Sequence, residues 1–63
     1  MNLTRTQRIL ISMGTRALDK QTPVWDTKQI LTVIDDLAAQ QGITLTILEK
    51  VPIVIEIGRR FGV

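Results

Sequence analysis

The sequence predicts an α+β fold: two amphipathic helices followed by one C-terminal strand, assembled as an intertwined two-fold homodimer. Three observations lead there. Two stretches carry apolar residues at helical spacing behind capping signals, at about 4–20 and 27–41. A third stretch, within 43–57, alternates with a period of two. Finally, 44% of a 63-residue chain is hydrophobic, nearly all of it aliphatic. A single domain of this size buries only about 60% of its unfolded surface, so surplus apolar side chain points to association.

The first helix opens at Thr4, which with Gln7 fits a capping box: each side chain satisfies the other residue's backbone N–H. Leu3, Ile9, Leu10, Met13 and Ala17 fall on one side of the helix. Arg5, Arg8, Ser12, Arg16 and Asp19 fall opposite, while Ile11 and Leu18 widen the apolar side beyond a single stripe. Gly14 lowers helix propensity by about 1 kcal/mol relative to Ala and either admits a neighbouring element or is merely tolerated.

A linker containing Pro23 separates this helix from the next. The second begins with Asp26 as N-cap and Gln29 at N3, and Trp25 is placed to pack on Ile30 as a hydrophobic staple. Ile30, Val33, Ile34, Leu37 and Ala38 form its apolar stripe, widened by Leu31. Gly42 supplies the left-handed residue that ends a helix.

In the third stretch the odd positions are Ile43, Leu45, Ile47, Glu49, Val51, Ile53, Ile55 and Ile57, all apolar except Glu49. A hairpin within it would turn near Leu48 to Val51, where Gly, Asn and Asp are all missing. One long strand would span ~50 Å at ~3.3 Å per residue, against a radius of gyration of ~11 Å for so short a chain. Its natural partner is the same strand of a second chain, paired antiparallel about a two-fold axis. Leu45, Ile47, Val51, Ile53, Ile55 and Ile57 are then the dimer interface. Pro52 marks a bulge, bend or outer edge. An intramolecular hairpin under two helices is the rival layout.

The chemistry is sparse. The chain has no His and no Cys, which removes the commonest general base, the usual nucleophile pairs and thiolate or imidazole metal ligands. Asp35 and Asp36 are adjacent on a helix and project ~100° apart, so they make no preformed carboxylate dyad. No glycine-rich phosphate loop follows a strand. The expectation is a protein without catalytic activity, cofactor or metal.

Net charge is +2, with basic residues weighted to the first helix and to a short tail at 58–63. Arg5, Arg8, Arg16, Arg59 and Arg60 are the candidates for phosphate contact in a small dimeric DNA-binding regulator, the second of two functional readings. The first is protein–protein binding. Leu48, Val54, Ile11 and Leu18 lie off the main apolar faces, and Phe61 follows two arginines. Trp25, Leu48, Val54 and Phe61 are the expected anchors of an apolar cleft suited to an amphipathic helix. No apolar run reaches the ~18–20 residues of a membrane span, and no signal peptide is evident, so a cytoplasmic location is expected.

The segments "MNLTRTQRILISMGTRALDK", "TPVWDTKQIL" and "VPIVIEIGRRFGV" together resemble the small early-region protein of lambda-like temperate phages, encoded between the exonuclease and excisionase genes. The resemblance runs the length of the chain and rests on no single motif. It implies a non-enzymatic accessory made early in infection, in the cytoplasm of an enterobacterial host. It also implies a pro-lytic bias on the choice between lysis and lysogeny through a host or phage regulatory protein. A dimer of two helices and one strand is implied as well, but no functional residue is transferred.

Overall fold

The computed structural model describes residues 2–19 and 26–61, which form three helices in the order α1 (Arg5–Asp19), α2 (Thr27–Gln40) and α3 (Ile47–Arg60). Each helix starts at a reciprocal capping box. At α1 the Gln7 N–H donates to Thr4 Oγ1 at 3.1 Å and the Thr4 N–H donates to Gln7 Oε1 at 2.8 Å. At α2 the Gln29 N–H donates to Asp26 Oδ1 at 2.8 Å and the Asp26 N–H to Gln29 Oε1 at 3.0 Å. Trp25, the expected staple, lies outside the described residues. The far end of α2 closes on Gly42, whose φ of 69° is the left-handed conformation glycine adopts without a Cβ clash. There the Gly42 and Ile43 N–H groups donate to the Ala39 and Ala38 carbonyls.

The third element overturns the expected fold class. Ile47–Arg60 is a helix and the described residues contain no strand, so neither the α+β fold, the C-terminal strand nor the hairpin stands. The interchain strand pairing that was to intertwine two copies falls with them. Two local causes favour helix. Thr46 and Glu49 make a third capping box: the Glu49 N–H donates to Thr46 Oγ1 at 3.2 Å and the Thr46 N–H donates to Glu49 Oε1 at 3.1 Å. Arg59 and Arg60 then occupy the last turn, where positive charge meets the carbonyl end of the helix dipole.

Pro52 sits inside α3, in its second turn. It cannot donate to the Leu48 carbonyl, and its ring crowds that group, a defect worth roughly 3 kcal/mol in a helix interior. Only one turn precedes it, so few hydrogen bonds are disturbed. Leu48 is also largely exposed, which leaves water free to serve its carbonyl.

Packing follows from which side chains share a face. Leu10, Ile11 and Leu18 of α1, Ile30 and Ile34 of α2, and Ile53 and Ile57 of α3 form one buried cluster. Ala38 is buried on the same face of α2. Helices α1 and α3 run parallel, since Gln7 lies beside Glu49, Gly14 beside Ile57 and Thr15 beside Arg60. Helix α2 runs opposite to α3: Asp35 pairs with Lys50 near the start of α3, while Thr27 and Ile30 line a depression with Gly58 and Arg59 at its end.

At Gly14 the end of the Ile57 side chain lies against α1. A Cβ built there would lie 2.8 Å from Ile57 Cδ1, so of the two readings of this glycine the close approach is the one found. One turn from the start of α1, Gln7 is the buried polar residue among the described ones, 6% exposed. Its Nε2 donates to the Glu49 carbonyl at 3.1 Å while its Oε1 serves the α1 cap. One side chain thus caps α1 and joins it to α3, with no buried side-chain nitrogen or oxygen left unpaired among the described residues.

Candidate protein-docking groove

Helical geometry divides the odd-numbered residues of the third segment into two stripes. Ile53 and Ile57, four apart, are fully buried against α1 and α2. Ile47, Val51 and Ile55, also four apart, point away from the core and are 77%, 49% and 41% exposed. Two of the six residues assigned to a strand interface are therefore core, and three form an outward ridge. The sixth, Leu45, lies before α3 and packs against the core cluster.

That ridge is one wall of an open groove between α2 and α3, with a volume of about 540 Å³. Ile47, Val51, Val54 and Ile55 line it from α3, and Thr27, Leu31 and Asp35 from α2. The α2 residues are four apart, so they stack along one edge as the ridge does on the other. Five of the eight lining residues are aliphatic. The others are Thr27, Asp35 and Lys50, and the Lys50 Nζ lies 2.9 Å from Asp35 Oδ1 and ties the two walls together. A second depression, lined by Thr27, Ile30, Val54, Ile55, Gly58 and Arg59, continues toward the C-terminal end of α3.

The expected anchors are scattered. Val54 lines the groove and also packs on the core. Leu48, 85% exposed, is the most open large apolar residue among those described, but it does not line the groove. Phe61 follows α3 as its C-cap and rests against the core, while Trp25 lies outside the described residues. Ile11 and Leu18, which the helical pattern sets off the main face, are core residues. Leu31 lines the groove without being an expected anchor; its place beside the apolar stripe of α2 is the signal that could have found it.

The basic residues also separate. Arg5, Arg8 and Arg16 stand on the outer face of α1. Arg59 pairs with Glu56 at 3.3 Å, and Arg60 donates from Nη1 to Thr15 Oγ1 at 3.3 Å. Among the described residues no group of three or more carboxylate side chains could hold a metal ion. Among the described residues no helix is long and apolar enough to cross a membrane.

An open, mostly aliphatic groove crossed by one Lys50–Asp35 ion pair can receive apolar side chains. The chain matches no protein-family model, no curated protein and no solved structure.

Proposed function

We propose that this chain is a small non-enzymatic accessory protein of a lambda-like temperate phage. It works in the cytoplasm of the infected bacterial host and favours lysis by seating an amphipathic helix of a host or phage regulatory protein in the α2–α3 groove. The observation that carries the docking role is the outward ridge of Ile47, Val51 and Ile55 facing Leu31. Aliphatic side chains left this open along a groove wall can receive the i, i+3, i+4 anchors of an amphipathic helix laid into it. The phage context rests on the resemblance of the sequence.

The test joins binding to phenotype. Amphipathic helical peptides titrated into labelled protein should shift the resonances of Leu31, Val51, Val54 and Ile55 ahead of all others. Val51→Glu with Ile55→Glu should abolish those shifts, and should remove any hastening of lysis caused by expressing the chain during infection. Hastened lysis that survives both substitutions would refute the groove as the working surface. A sedimentation mass of two chains that falls to one with the same substitutions would give the groove to a second copy instead.

A further inference from the structure

The exposed positions of α1 are Arg5, Arg8, Ile9, Ser12, Arg16 and Asp19, which share one face opposite the buried side of the helix. Three of them are arginines. No acidic residue occurs in α1 before Asp19, at its C-terminal end. None of these three guanidinium groups has an ion-pair partner among the described residues, whereas Lys50 and Arg59 do. Arg60 borders the same face from α3, held beside α1 by its hydrogen bond to Thr15.

We infer that the outer face of α1, through Arg5, Arg8 and Arg16 with Arg60 at its edge, binds the phosphate backbone of duplex nucleic acid. The charge on this face is complementary to a polyanion. Arginine in particular offers a planar fork that pairs with phosphate oxygens in a bidentate way. The other polyanionic surfaces fit less well. A bilayer would need an apolar face on α1, and that face is spent in the core as Leu10, Ile11 and Leu18. A protein interface would want an apolar centre, and only Ile9, 40% exposed, breaks the polar surface. The arginines reach phosphate and carry no base readout, so binding is independent of sequence. No residue of α1 lines the α2–α3 groove, so both faces can be occupied at once.

The experiment is fluorescence anisotropy of the full chain with a labelled 20-base-pair duplex of arbitrary sequence, across a salt series. With three phosphates neutralised per chain, affinity should fall about 40-fold between 50 and 200 mM salt. Arg5→Gln, Arg8→Gln and Arg16→Gln together should weaken binding at least tenfold at low salt. They should also flatten the logarithmic salt slope by about 0.9 for each phosphate no longer neutralised. Lys28→Gln, which removes one positive charge from α2, should leave both unchanged. Circular dichroism should show the triple variant folded, because all three side chains are exposed. No anisotropy change at 20 mM salt, or a triple variant that binds like the parent, overturns the inference. Polyglutamate or anionic vesicles competing as well as DNA overturns the assignment to nucleic acid.

Discussion

At the residue scale, two features set how α3 meets α1. Gly14 leaves the space that the end of the Ile57 side chain fills, and Gln7 supplies the buried polar link to the Glu49 carbonyl. Gly14→Ala gains about 1 kcal/mol in helix propensity but pushes Ile57 Cδ1 out of place, so its net effect on unfolding free energy should be small. Ile57→Val, which shortens that side chain, ordinarily costs about 0.5–1.5 kcal/mol. On the Gly14→Ala background it should cost less, and a double-mutant cycle from urea melts reads the difference. Additive costs would mean that the two side chains do not meet. Gly14 could be flagged in the sequence as a place of close approach, but its neighbour could not, because nothing local names a residue more than forty positions away.

At the element scale, α3 is the part whose sequence misleads. A run of β-branched residues on odd positions satisfies a period of two, and every second one of those positions also satisfies a helix. The capping pattern Thr46-x-x-Glu49, of the same kind as those opening α1 and α2, is the signal for helix. In the sequence alone, Pro52 and the aliphatic alternation outweigh it. Two expectations separate the alternatives. Ile53→Ala should cost about 2–5 kcal/mol, whereas Ile55→Ala, two positions on, should cost well under half as much. A strand with one buried face would penalise the two alike. Pro52→Ala should restore a donor to the Leu48 carbonyl, strengthen the helical circular dichroism signal and raise stability by on the order of 1–2 kcal/mol. A variant whose helical signal does not grow would count against a helix through this position.

At the scale of the whole molecule, the three helices are held by one aliphatic cluster, two side-chain bridges between α1 and α3, and one ion pair from α2 to α3. The ion pair is the weakest of these in principle. Lys50 and Asp35 side chains are 26% and 52% exposed, and pairs in such positions contribute about 0–1 kcal/mol and are screened by salt. Asp35→Asn should therefore shift the melting temperature by only a few degrees, and molar salt should remove most of that shift. A larger loss would show that the pair shapes the groove as well as bridging it. The cluster supplies most of the cohesion, yet Ile47, Leu48, Val51 and Ile55 remain outside it. An aliphatic surplus was legible from composition, but its concentration along α3 was not, because composition carries no direction.

The sequence by itself determined where α1 and α2 begin, which face of α2 is apolar and how α2 stops at Gly42. Those features rest on interactions within a few residues of one another, such as caps, helical spacing and glycine geometry. In α1 the sequence placed Ile9 on the apolar side, whereas the structure exposes Ile9 and buries Ile11 and Leu18. Only the tertiary structure decided that the third segment is a helix, which isoleucines it buries, and that α2 and α3 leave a groove between them. The physical reason lies in the third segment itself. Its aliphatic side chains fit either period, and the choice depends on whether Ile53 and Ile57 find room against a distant helix. Ile57 finds it beside Gly14, which has no side chain to fill that space, and Ile53 is buried one turn earlier on the same face.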